Sequence, residues 1–216
     1  MGALEKNRDD SSAQDGGAWT AAGAAAAGPP VGSFPAQTPK HAKVLYNQNN
    51  DNAGVSVFSD NFGTYYNQGA DDFVVPAHAV WTITEVDVTG QYFDGSGPAT
   101  SEAVIFYADD NGMPGDAVAT FSTLKGTENN GAFSITLPGK GIKLEKGRYW
   151  VSVTVTPNFA QGGGEWGWYV NSVLHGDEAM WQSPGQQPCP TWGTLEACTD
   201  TGPDLMFALK GTKKHA

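Results

Sequence analysis

Between residues 44 and 210, segment after segment places apolar side chains at every second position, and none holds the 3.6-residue period of a helix. Such a pattern lets a strand bury one side and wet the other. Phe133, Ile135 and Leu137 alternate with Ser134 and Thr136. In residues 148–156, Tyr149, Val151, Val153 and Val155 form one set, with Trp150, Ser152, Thr154 and Thr156 opposite. Leu205, Phe207 and Leu209 repeat the pattern near the end, and residues 102–109 are apolar on both sides, as a central strand would be. Residues 80–88 change phase: Trp81 and Ile83 fall on odd positions, Val86 and Val88 on even ones. A β-bulge or bend near Thr84 and Glu85 would return both pairs to one core.

Turn signals separate these runs: NQNNDNAG, FDGSGP, DDNGMPGD, TENNGA, PGKG and AQGGG. Charged residues make up only 16% of the chain, while glycines number 28 and aromatics reach 11%, a balance that favours strands and turns over exposed helices. The expectation is an all-β fold, a two-sheet antiparallel sandwich of jelly-roll-like form with about nine to eleven short strands. Residues 1–40 differ. Small and polar residues dominate there, broken by Pro29, Pro30, Pro35 and Pro39, with Trp19 and Phe34 as the large apolar side chains. Too little apolar area is available to offset ordering entropy, so this segment reads as a disordered or extended arm. The expected organisation is arm at 1–40, sandwich at 41–212 and a short tail at 213–216. An arm of this kind suggests self-assembly by adding to a sheet edge of another subunit.

The net charge of −11 disfavours nucleic acid and anionic membrane surfaces as partners. No apolar run approaches the roughly 18 residues of a membrane span. The opening MGALEKNRDD lacks the basic and hydrophobic regions of a signal peptide, so export would require a leader already removed.

Trp166 and Trp168 flank Gly167 after three consecutive glycines, and Trp181 and Trp192 follow in a loop-rich segment. At i and i+2 in a strand, Trp166 and Trp168 share a face. Exposed, the four tryptophans are candidate ligand-binding residues, a stacking platform for sugar rings or apolar side chains; buried, they are core. Asp109, Asp110, Asn111 and Asp116 cluster oxygen ligands as a calcium loop does, without its terminal Glu; the same residues also suit a plain hairpin turn. Asp71 and Asp72 are a second calcium candidate. Cys189 and Cys198 enclose a Pro- and Gly-rich loop that suits a disulfide, with two reduced thiols as the alternative. Nothing local supports nucleophilic or zinc catalysis: there is no G-x-S-x-G, H-E-x-x-H or C-x-x-C, and His175 has no neighbouring Ser or Cys. Glu102 and Glu165 are the carboxylates considered for glycoside hydrolysis.

The runs ADDFVVPAHAVWTITEVDVTGQYF, VIFYADDNGMPGDAVATF, KGRYWVSVTV, EWGWYVNSVLHGDEAMWQSPG, CPTWGTLEAC and GPDLMFALKGT together resemble a β-sandwich domain family of uncharacterised secreted or cell-surface bacterial proteins. The resemblance spans roughly residues 44–212. It implies export, a jelly-roll-like sandwich and a Cys189–Cys198 bridge, and it carries no catalytic residues. Three functions follow in order of expectation. The first is a non-catalytic extracellular module for adhesion, surface assembly or protein interaction. Next comes a carbohydrate-binding, lectin-like module, with calcium as its cofactor if it has one, and last a glycoside-active enzyme. The expected partner is a protein or polysaccharide at the cell surface.

Overall fold

A computed structural model describes residues 42–186 and 188–215. The arm expected at 1–40 lies outside the described residues. In chain order the strands are β1 (Lys43–Asn47), β2 (Asn52–Phe58), β3 (Asn61–Phe62), β4 (Tyr65–Tyr66), β5 (Gln68–Val75) and β6 (Ala79–Val88). Next come β7 (Gly90–Phe93), β8 (Ser101–Asp109), β9 (Pro114–Leu124), β10 (Thr127–Asn129), β11 (Ala132–Thr136) and β12 (Ile142–Leu144). The remainder are β13 (Gly147–Thr156), β14 (Glu165–Asn171), β15 (Met180–Gln182), β16 (Gly193–Thr194), β17 (Asp204–Leu205) and β18 (Phe207–His215). One short helix, α1 (Leu195–Thr199), lies between β16 and β17.

The strands form an all-β antiparallel sandwich. One large sheet runs β1-β18-β6-β11-β10, with β12 also on β6; the other runs β16-β15-β5-β13-β8-β9. A smaller sheet joins β14 to β2 on one side and to β17 and β7 on the other. All three share one core. Phe73 of β5 stacks on Trp81 of β6 at 6.2 Å, Phe133 of β11 meets Trp166 of β14 at 5.8 Å, and Trp168 meets Phe207 of β18 at 6.4 Å.

The phase change in β6 is a bulge. Lys210 of β18 pairs with Glu85 and Gly211 with Ile83, so Thr84 is the extra residue. The other neighbour changes at the same place: Thr136 of β11 pairs with Glu85, and Ile142 of β12 with Ile83. Thr84 turns its carbonyl to Leu137 N, which donates at 2.9 Å. Trp81, Ile83, Val86 and Val88 all end up buried. A side chain at Gly211 would overlap the Thr82 carbonyl, so glycine is what allows β18 to follow the bulged strand closely.

Two expectations need correction. Residues 213–215 are not a tail. β18 continues through them, pairing Lys213 with Trp81, Lys214 with Val80 and His215 with Ala79. Nor is β13 wet on one side: Trp150, Ser152 and Thr154 are as buried as Val151, Val153 and Val155. That outer side carries a second small cluster, Ala70, Trp150 and Met180, against which Tyr107 and Trp192 pack, and Ser152 Oγ accepts there from Gln68 Nε2 at 2.9 Å. The disulfide loop crosses this side and carries Trp192 onto Tyr107, centroids 5.8 Å apart.

Candidate functional site

The sequence's tryptophan platform does not face solvent. Trp166 and Trp168 do share a face of β14, but it is the core face, and both are fully buried. Their indole N–H groups donate to Gly131 O at 2.8 Å and Met206 O at 2.7 Å, which lets such polar tips be buried. Trp181 is buried and donates to Phe58 O at 2.8 Å. Trp192 is half-buried as the cover over Tyr107.

On the opposite face of β14, Glu165 and Tyr169 are half-buried and Gly167 between them is buried, with Phe93 and Ser56 close against it. Its ladder neighbours complete a surface. Gly167 pairs with Phe58 and Gln91, Tyr169 with Ser56, and Glu165 with Phe93. Tyr169 donates its hydroxyl to Gln91 Oε1 at 2.9 Å, and Gln91 Nε2 donates to Ser56 Oγ at 2.9 Å. Beside this polar row, Phe58 and Phe93 meet edge to face at 5.2 Å. The chain leaving Phe58 enters the β3–β4 hairpin, where Phe62 stacks on Tyr65 and meets Phe159 edge to face. Phe58, Tyr65 and Phe159 are 37%, 52% and 51% exposed, high for rings of this size. On β2, β14 and β7 the surface is thus the Phe58–Phe93 pair beside an amide and two hydroxyls already locked to one another.

Asp60 underlies it. The residue is fully buried, with Oδ1 accepting from Asn67 Nδ2 at 2.9 Å and Oδ2 unpaired among the described residues. Burial pushes its carboxyl up to about 6, with the charge of Glu165 adding to the rise. Glu102 sits elsewhere in the fold: it is buried on β8 and accepts from Gly126 N at 2.6 Å, with Lys125 and Glu128 as its charged neighbours. Glu165 therefore has Asp60, not Glu102, as its acidic partner.

The residues read as a calcium loop make a hairpin turn. Asp110 N donates to Met113 O at 2.9 Å and Met113 N to Asp110 O at 3.3 Å. Asn111 and Gly112 between them have φ of 55° and 81°, the left-handed pair that a two-residue hairpin requires. Asp109 is occupied with Trp150 Nε1 at 2.9 Å, Asp110 takes Asn111 Nδ2, and Asp116 is exposed on β9. Among the described residues, no three of His, Cys, Asp or Glu come together in a group able to hold a metal ion.

Asp71 and Asp72 are buried acceptors that tie strands and a loop together. Asp71 Oδ2 takes Gln48 Nε2 and Leu205 N, each at 2.7 Å. Asp72 Oδ1 takes Asp177 N at 2.9 Å, and Arg148 lies 3.4 Å from Oδ2. Asp204, which the sequence reading did not single out, completes the group by accepting from His175 N. His175 is therefore not a free surface histidine: its Nδ1 lies 2.9 Å from Val173 O and 3.4 Å from Asp204 Oδ2. Burial pushes Asp72 and Asp204 each up to about 6, and burial with the charge of Asp204 holds Asp71 well above the usual carboxylate range.

Cys189 and Cys198 are joined, closing the loop onto α1. No helix among the described residues is long and apolar enough to cross a membrane. Compared with known proteins, the chain matches no family model, no curated protein and no solved structure.

Proposed function

We propose that this chain is a non-catalytic extracellular β-sandwich module that attaches to a polysaccharide at the cell surface through the solvent face of β2, β14 and β7. One observation carries the reading: the exposed Phe58 ring, set edge to face against Phe93, stands beside a pre-formed Tyr169–Gln91–Ser56 hydrogen-bond row. Aromatic rings match the C–H faces of sugar rings, and fixed amides and hydroxyls select among ring hydroxyls without further ordering cost. The disulfide supports export, since such bonds persist in oxidising compartments. So does the likeness of residues 44–212 to secreted and cell-surface bacterial sandwich domains.

The test is a glycan array followed by titration of the best binder with the Phe58→Ala/Phe93→Ala double variant. Two lost stacking contacts are expected to weaken binding by roughly tenfold to a hundredfold, with circular dichroism unchanged. Absence of any polysaccharide binder, or equal affinity in the double variant, would remove the proposal.

A further inference from the structure

A second site lies elsewhere on the fold and does not depend on the aromatic face. At one end of the sandwich, β1, the start of β6 and the end of β18 border a cleft of about 540 Å³. Leu45 and Trp81 form its apolar lining, and His78, Lys213, Lys214 and His215 its polar part. Lys213 is the cross-strand partner of Trp81, so the two side chains leave the same face of the sheet. That face is the core face, because Trp81 is only 4% exposed and stacks parallel to Phe73. Lys213 therefore stands over the indole where the core opens to water.

The polar groups around this cleft are donors or cations. The Trp81 indole N–H is sealed from solvent and has no acceptor among the described residues. Sealed as it is, this N–H is out of a ligand's reach; what a ligand meets in the cleft is the apolar ring beside Lys213. Neither Lys213 nor Lys214 takes part in an ion pair among the described residues, and Lys43 and Lys146 line the adjoining clefts, where Glu145 is the carboxylate. His78 is held at the rim in a left-handed conformation, φ 61°, uncommon for a residue with a side chain. On a chain of net charge −11, these lysines make a local cationic mouth. Its volume falls within the roughly 300–1,000 Å³ of small-molecule sites.

We infer that this cleft binds a small organic carboxylate with an apolar body. The body lies against Leu45 and Trp81, and the carboxylate sits at Lys213. The test uses the full chain, ¹⁵N-labelled, with octanoate as probe and octanol as its uncharged counterpart. The Trp81 indole resonance, assigned by triple-resonance methods, is expected to shift saturably with octanoate. Lys213→Gln should weaken that binding by at least about tenfold, while Lys214→Gln, on the opposite face of β18, should leave it unchanged; the other indole resonances, unmoved, control for folding. Raising salt from about 0.05 to about 0.5 M should weaken it as well. Octanol binding as tightly as octanoate, an unmoved Trp81 resonance, or full affinity in Lys213→Gln would each overturn the inference.

Discussion

Trp166 and Trp168 stand side by side in the core, ring centroids 6.2 Å apart, each with its N–H given to a backbone carbonyl. Their burial makes them structural. Trp166→Ala or Trp168→Ala is expected to cost about 3–5 kcal/mol, the range for removing a large buried side chain. Urea denaturation followed by far-UV circular dichroism measures it; a loss below about 1 kcal/mol would contradict full burial.

The bulge at Thr84 makes a separate demand on its neighbour. Gly211→Ala places a methyl group against the Thr82 carbonyl, and β18 must move away to admit it. The expected loss is about 1–3 kcal/mol, as for overpacking in a tight site. Gly139→Ala, where a methyl group meets nothing within 4 Å, controls for space alone, although its φ of 66° adds a smaller conformational cost. Equal thermal midpoints for the Gly211 variant and the parent would show that the bulge tolerates a side chain.

Stability should fall as pH rises from about 4 to about 6. Asp60, Asp72 and Asp204 are each pushed up to about 6 by burial, from an ordinary 3.8. Within that window the folded chain holds protons that the unfolded chain has released, so rising pH favours unfolding, by up to about 1.4 kcal/mol per pH unit for each proton. The urea midpoint is therefore expected to be higher at pH 5 than at pH 7.5. Asp60→Asn keeps the bond from Asn67 through its amide oxygen and should flatten the slope by up to one proton. A midpoint that rises from pH 5 to pH 7.5 would contradict this electrostatic picture.

Removing the disulfide should act locally. The bridge spans nine residues in sequence, so its loss costs about 2.5–3 kcal/mol on the loop-entropy account. In Cys189→Ala/Cys198→Ala, proteolysis is expected to begin between β15 and α1, at the β16 edge, while β5, β13, β8 and the β1–β18–β6 sheet stay intact. Cleavage starting in β8 or β13 instead would mean that the loop holds the whole domain.

Much of this fold could be read from alternation. The phase slip from Ile83 to Val86 located the bulge because apolar residues on one side of a strand must keep the period of two or break it visibly. Trp166 and Trp168 were placed on one face for the same reason, but periodicity does not say which face looks inward. The three-residue step Glu165-Gly167-Tyr169 gave no hint that it was the outer one. Polarity is not exposure at Ser152 and Thr154: both are buried, Ser152 beneath Gln68, a neighbour from β5 that no local pattern names. The exposed surface itself was not legible: Phe58, Gln91, Phe93 and Tyr169 come from three strands whose pairing no local pattern encodes. Asp204 left a fainter trace, a carboxylate directly before the apolar run that begins at Leu205.

The covering of β13 on both sides has a consequence for motion. β13 lies between β5 and β8, and Trp150, Val151, Ser152, Val153, Thr154 and Val155 are all sealed from water. Fraying from an edge does not reach these amides, and neither does the lifting of a single loop. Their hydrogens exchange only when the sheets part, so the exchange rate of this one strand reads out the opening of the entire sandwich.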